Sequence, residues 1–463
     1  MDATSLVSAW DALVLQLAFV FTEGTAATWR QIALGWLLHR GPATVTGIIR
    51  TLGRSAEKHW TVYHKFFYRA AWSLETLSLY LMTYVIGPLI IESGVTDSCG
   101  RKPASGKPVA DLAIDDTTAA RYGKHVAHAG WFKDASATGP ATKGTVIHWA
   151  HNWITGVITL RLPKWGPMRW VLPAVFALYR KSSDCTKDHP FRNRQTLAAE
   201  LVQQAVKALP DVQLRVSTDG QYATRDMVRR LPEGVNLVSR IRRDAALYAL
   251  LPKRRRRQRG RPRKKGRRLP TPAQTARRRT KGWRTITVHK QGCQVRREVL
   301  GLTCLWYHVC KDVPIRLVIV RDPAGRQKDD FFFCTDAHVP EEQIVQRYCD
   351  RWGVEESYRE GKQFLGFETV QGWCSKTVLR QAPLALVLTT LVKAWYARCA
   401  AAEPSLLPKP MPWYPDKAHP SFADMLSALR GVLWRHRLLA NSPLSPRVRK
   451  ILKGFAYALS EAA

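Results

Sequence analysis

The spacing of hydrophobic residues changes several times along the chain, and each change marks a different kind of element. Up to about residue 105 the apolar positions recur every three to four residues, the spacing of one helical face. Thr28 to Arg40 (TWRQIALGWLLHR) is one such run and stops at the Gly41-Pro42 breaker. Thr44 to Leu52 and His59 to Trp72 follow it. Two short helices about a Gly-Pro turn, then a helix mixing cations with aromatics, fit a helix-turn-helix DNA reader or an all-helical unit with a solvated basic face. The apolar run Tyr80 to Ile91 is too short to span a bilayer. The first residues lack the basic start and small-residue cleavage site of a signal peptide.

From Gly106 the texture changes. Asp111 to Asp116 (DLAIDD) predicts a short strand ending in carboxylates. Thr145 to Trp153 and Gly156 to Leu162 predict a hairpin about a Thr155-Gly156 turn. Asn193 to Leu209 has a helical pattern ended by Pro210, and Val212 to Val216 is a strand running into Ser217, Thr218 and Asp219. A helix over Tyr222 to Leu231 and a strand over Val235 to Arg240 complete the block. The order is three strands, helix, strand, helix, strand, an α/β arrangement. Four further strand-like runs lie at Arg284 to His289, Glu298 to Cys310, Ile315 to Arg321 and Asp329 to Thr335. Helical patterns then cover Tyr348 to Lys362 and Pro383 to Tyr396, the latter apolar nearly all round. Pro404 to Pro415 is a proline-rich break before a basic helical tail.

Charge changes the picture most. The 463 residues carry a formal +36, and 20 of those charges lie between Ala245 and Arg297, where there is no Asp or Glu. The centre of that stretch, Lys253 to Arg268, includes Arg254, Arg255, Arg256 and Arg257. It predicts a mobile, solvated segment that neutralises phosphates. Such an excess points to a polyanion, most simply nucleic acid, rather than a membrane. A hydrophobic content of 46% is ample for real cores, and the length allows about three domains. The 9 cysteines contain no Cys-x-x-Cys pair, which argues against a zinc ribbon and fits a reducing cytoplasm.

On a helix, Tyr348, Arg351, Glu355, Arg359 and Lys362 fall on one face, while Val354, Gly361, Phe364 and Leu365 form the core-facing stripe. An exposed ion-pair ladder would also look like this. The spacing Tyr, two residues, Arg, three residues, Glu, six residues, Lys, with the trailing FLGFE (Phe364 to Glu368), resembles the signature of the insertion-sequence DDE transposases of the Tyr-Arg-Glu-Lys group. The resemblance covers roughly Gly106 to Glu368. It implies a ribonuclease H-like mixed sheet with helices on both faces, an all-helical N-terminal DNA-binding domain before it, and a β-rich insertion ahead of the glutamate helix. The corresponding expected boundaries are 1–105, 106–244, 245–340, 341–400 and 401–463.

Metal-dependent phosphodiester cleavage uses divalent ions about 4 Å apart on oxygen ligands, and strand ends plus one helix can supply these. The resemblance implies a catalytic, metal-binding set of Asp116, Asp219 and Glu355 holding Mg²⁺, with Mn²⁺ as substitute. Strand parity does not choose between Asp115 and Asp116; the Asp-Thr-Thr run (Asp116, Thr117, Thr118) resembles the family motif and selects Asp116. Glu356, about 100° round the helix, is expected to be solvated. Tyr348, Arg351, Arg359 and Lys362 are expected to contact DNA phosphates, which suits an Arg fork and a Lys point charge. The implied protein is cytoplasmic, with no membrane association, and acts on double-stranded DNA, both transposon ends and target, as a homodimer or higher assembly. It would nick at the element's terminal inverted repeats and transfer the freed 3′ hydroxyl to target DNA. A ribonuclease H-like nuclease without strand transfer, or a domesticated DNA-binding protein, would share much of this sequence. His125, His128 and the strand histidines His148 and His151 offer no shared metal site. Trp306, in the insertion, is expected in the core rather than on a flipped base.

Overall fold

Strand β1 (Val109–Ala120) is the spine of the molecule. It pairs antiparallel with β3 (Ile147–Arg161) on one edge and parallel with β5 (Gln213–Thr218) on the other. A short β2 (Gly130–Lys133) and β4 (Arg169–Tyr179) share the outer edge of β3. Beyond β5 the sheet continues through β6 (Asn236–Arg240), then β7 (Arg284–Lys290), β8 (Cys293–Leu305), β9 (Pro314–Arg321) and β10 (Asp330–Cys334). The spatial order is β2-β3-β1-β5-β6-β10-β9-β8-β7, with β4 beside β3. The β-rich insertion thus extends the central sheet by pairing β10 against β6. This computed structural model describes residues 3–94, 106–134, 137, 144–251, 263–290, 292–408, 410–412, 414–415, 417, 419–439 and 445–461. The architecture is the expected ribonuclease H-like α/β sheet flanked by helices, with further helices at both ends of the chain.

The helices, in chain order, are α1 (Ala3–Gln16), α2 (Glu23–Leu38), α3 (Val45–Leu52), α4 (Trp60–Tyr68), α5 (Leu74–Tyr80), α6 (Gly87–Ser93), α7 (Arg194–Ala208), α8 (Arg225–Arg230), α9 (Pro272–Arg278), α10 (Tyr307–Cys310), α11 (Glu341–Asp350), α12 (Gly353–Leu365), α13 (Ser375–Cys399), α14 (Phe422–Leu439) and α15 (Pro446–Glu461). One apolar cluster runs from Leu6 through the sheet to Leu433. The N-terminal helices lock onto α12, α13 and α14: Trp36 Nε1 donates to the Leu365 carbonyl at 2.9 Å, and Arg430 Nε donates to the Leu37 carbonyl at 2.6 Å. Each bond satisfies a buried polar group inside that apolar mass. Pro383 sits within α13, and the helix is buried along nearly its whole length.

Four local expectations are corrected. The hairpin about Thr155-Gly156 is instead one continuous strand, β3. Gly156 serves packing rather than a turn: a Cβ there would lie 2.5 Å from Val175 Cγ2 and 3.1 Å from Leu112 Cδ1. The Tyr80 to Ile91 run belongs to a longer helical stretch, Leu74–Ser93, joined by a π-helical turn and long and apolar enough by composition to cross a membrane. Half of it is buried, with Leu77, Leu81, Met82, Val85 and Ile86 at 0% exposure. The basic stretch is ordered from Arg263 onward. Thr271 and Gln274 form a capping box on α9, Ala276 is buried, and Arg321 Nη2 donates to its carbonyl at 2.9 Å. Arg254, Arg255, Arg256 and Arg257 lie outside the described residues. Finally, Tyr348 to Lys362 is two helices, α11 and α12, broken at Arg351 and Trp352. Gly353 follows the break, where a Cβ would meet both Val171 methyl carbons at 2.9 Å, so glycine lets α12 approach β4.

Candidate active site

Where the parallel pairing of β1 with β5 ends, two aspartates stand side by side. The two strands run parallel with Ile114 opposite Thr218, so Asp115 and Asp219 each follow that pair by one residue. Helix α12 crosses the same face. Tyr358 on α12 donates its hydroxyl to the Asp115 carbonyl at 2.8 Å, which fixes the helix over the strand end. Glu355, one turn earlier, then projects toward the aspartates. Arg351 joins them: one guanidinium nitrogen contacts Asp115 Oδ2, and the other lies 3.2 Å from Glu355 Oε1. Tyr348 donates its hydroxyl to Asp219 Oδ1 at 3.3 Å.

Asp116 has a different set of partners. Its carboxylate accepts hydrogen bonds from Asn152 Nδ2 at 2.7 Å and Tyr222 at 2.8 Å, and also from Gln221. Arg194 Nε is 3.6 Å away. Asp116 is therefore well satisfied by its own neighbours. Both aspartates nevertheless border one cleft of about 1150 Å³, with Glu355, Arg359, Lys362 and Lys133 on its walls. Arg359 is exposed there. Lys362 is held inward, donating to the Thr118 carbonyl at 2.9 Å and pairing with Glu368 at 2.7 Å. Glu356 is not solvated but paired with Arg169 at 2.9 Å. Thus the geometry brings Tyr348, Arg351, Glu355 and Asp219 together; Asp115 is the first-strand carboxylate that Arg351 contacts, and Asp116 shares the cleft with Glu355.

Burial shapes the protonation of this group. Desolvation pushes Asp115 up to about 7, against the opposing pull of Arg351 and with the help of the neighbouring Asp116 charge. Glu355 is also raised, first by burial, with Arg351 opposing. Burial pushes the Tyr348 phenol up to about 12, so it stays a neutral donor to Asp219. Among the described residues no three His, Cys, Asp or Glu side chains stand close enough to hold one metal ion. The donor chemistry still suits a hard divalent cation, since all three candidate ligands are carboxylates on one part-buried face.

A family model described as DDE superfamily endonuclease matches residues 17–295, more than half of the chain. This chain belongs to the DDE superfamily endonucleases. The matched span of this DDE endonuclease contains Asp115, Asp116 and Asp219 and ends before Glu355. No curated protein matches the chain.

The residues around Asp116 escaped the sequence reading. Asn152 sits opposite Thr118 on the neighbouring strand, so antiparallel parity alone puts its side chain on the Asp116 face. No comparable signal exists for Arg194, Gln221 or Tyr222. His128 has partners after all: Nδ1 is 2.5 Å from Asp184 Oδ2 and Nε2 is 2.7 Å from Ser375 Oγ. It ties the β1–β2 loop to the start of α13. His148 and His151 do face opposite sides, as strand parity requires: His148 meets Asp134 at 3.4 Å, and His151 accepts from Arg121 Nε at 2.9 Å. Trp306 is 7% exposed and edge-on to Phe333 at 5.1 Å, a core position.

Proposed function

We propose that this DDE endonuclease is a transposase of the Tyr-Arg-Glu-Lys group, cutting and joining DNA at the ends of its own element. The observation that carries the reading is the Asp115–Arg351–Glu355 chain of contacts beside Asp219 and Tyr348. It joins two carboxylates at strand ends to a helix bearing the spacing Tyr348, Arg351, Glu355, Lys362. Asp115, Asp219 and Glu355 would hold Mg²⁺ or Mn²⁺, which supplies Lewis acidity toward the scissile phosphate. We assign the first ligand to Asp115, because the register aligns it with Asp219.

The chain's own residues have the remaining tasks. Arg359, Lys362 and Lys133 line the cleft and offer charge to the DNA backbone. Tyr358 keeps α12 seated on β1, so Glu355 keeps its distance from the aspartates. The net +36 favours a polyanion throughout. Arg254 to Arg257 would add sequence-independent phosphate contacts, and the N-terminal helices would read the terminal repeats. The protein would work in the cytoplasm, on the nucleoid, as a dimer or larger assembly on DNA.

The test uses the DNA that flanks the gene. A duplex carrying its terminal inverted repeat, incubated with full-length protein and Mg²⁺, should be nicked at the repeat boundary and joined to a second duplex. Nicking of repeat and random duplexes alike, with no joined product, would leave a nuclease without strand transfer.

A further inference from the structure

Arg351 stands between two clefts of opposite character. On one side it contacts Asp115 and Glu355, which border the carboxylate cleft. On the other it lines a second cleft of about 320 Å³ with Arg240, Lys290, Arg297, Tyr348 and Trp352. That second cleft also contains Asp330, which is already paired with Arg240 at 2.5 Å. Arg297 is also paired, with Asp322 at 3.2 Å, yet the lining still holds more cations than anions, as a phosphate site requires.

The guanidinium's charge is committed to the carboxylates, but one of its nitrogens is not hydrogen-bonded. Its two terminal nitrogens serve the carboxylates, while Nε is buried and makes no hydrogen bond. The Tyr348 ring lies 5.4 Å from its centre, a cation–π contact that would persist on either side. The residue sits at the break between α11 and α12, where the backbone is in neither helix. Its side chain is 9% exposed, so in this arrangement the positive charge is spent almost wholly on Asp115 and Glu355.

We infer that Arg351 is a positioning residue that occupies the carboxylates in place of a divalent cation and releases them when a DNA phosphate enters the neighbouring cationic cleft. Arg351 holds Asp115 Oδ2 and Glu355 Oε1, so a metal seeking those oxygens competes with it. A phosphate offers the guanidinium an alternative bidentate partner. DNA and metal then favour each other, and the metal site is complete only on DNA. This rests on the proposed reading of Asp115, Asp219 and Glu355 as metal ligands. It adds that the affinity of this site is set by the state of one arginine.

The measurement is Mn²⁺ binding to full-length protein, followed by loss of the free-ion paramagnetic resonance signal at pH 8. Without DNA, Arg351→Gln should bind Mn²⁺ about tenfold or more tightly than wild type, within the usual range of coupling between sites. Arg351→Lys, which keeps the charge but not the fork, should lie between them. Arg229→Gln removes an exposed charge on α8 that lines neither cleft and should shift affinity by less than about threefold, as screening dictates. Adding a random duplex should tighten Mn²⁺ binding about tenfold in wild type and hardly at all in Arg351→Gln. The duplex's own Mn²⁺ uptake is subtracted with Glu355→Gln protein. Far-ultraviolet circular dichroism and the melting temperature show whether each variant folds. Equal Mn²⁺ affinity in wild type and both Arg351 variants would overturn the inference. So would a DNA effect that survives in Arg351→Gln. In either case, loss of Mn²⁺ binding in Glu355→Gln leaves the carboxylate reading standing. Unchanged binding in Glu355→Gln would remove that reading too.

Discussion

Asp115→Asn is expected to lower the nicking rate by on the order of a thousandfold or more, while protein–DNA affinity stays within a few-fold. A metal site loses several kcal/mol of transition-state stabilisation with a ligand, and about 4 kcal/mol is a factor of roughly a thousand. Asp116→Asn should behave differently. Its neighbours Asn152, Tyr222 and Gln221 donate to a carboxylate, and an amide still offers them one acceptor oxygen. Its loss should appear chiefly as lower stability and a milder rate defect. The comparison is a nicking time course at saturating protein for the two variants. A dead Asp116→Asn beside an active Asp115→Asn would return the metal to Asp116. A pH dependence accompanies the claim. Burial holds Asp115 up to about 7, and a protonated carboxyl cannot ligate a cation. Mn²⁺ affinity in wild type should therefore fall as pH drops below about 7, and more gently in Asp115→Asn, which lacks that carboxyl.

The second large effect is on stability. Lys393 on α13 is 5% exposed and reaches Glu360 on α12 at 2.5 Å, with a further bond to the Val171 carbonyl at 2.8 Å. This pair fastens the glutamate-bearing helix to the buried helix behind it. Lys393→Met leaves the Glu360 carboxylate, already pushed up by burial, without its partner. Breaking a buried pair on one side costs about 3–5 kcal/mol, whereas replacing both members with apolar residues is often neutral. Lys393→Met should therefore lower the urea midpoint sharply, and Lys393→Met/Glu360→Leu should recover most of the loss. A single variant within about 1 kcal/mol of wild type would mean that the pair is not desolvated as described.

The sheet and the site were legible in the sequence to different degrees. The order of β5 to β10 could be read from their apolar runs, except that Glu298 to Cys310 merged the end of β8 with α10, which begins at Tyr307. Strand β4 was missed because Pro173 interrupts it. The proline is tolerated since β4 pairs only with β3, leaving its other edge free of ladder bonds. Gly156 looked like a turn because its role, clearance for Val175, is tertiary. Gly353 hid the helix break for the same reason. At the site, the spacing anticipated Tyr348, Arg351 and Glu355 lying together, but not the helix break at Arg351 and Trp352 or Lys362 turning inward to the Thr118 carbonyl. The choice between Asp115 and Asp116 was not available from parity. It depends on tertiary contacts: Arg351 and Tyr358 meet Asp115 from over two hundred residues away, while Asn152, Gln221 and Tyr222 meet Asp116.

The most direct test of the three-carboxylate account is nicking of an end-bearing duplex by wild type and Glu355→Gln at matched DNA occupancy, each in Mg²⁺ and in EDTA. Glu355 is the carboxylate that Arg351 links to Asp115, and the amide keeps its shape while removing its charge. Wild type should cut in Mg²⁺ and be silent in EDTA, and Glu355→Gln should bind the duplex normally and cut in neither. Robust cutting by wild type in EDTA, or by Glu355→Gln in Mg²⁺, would contradict the account.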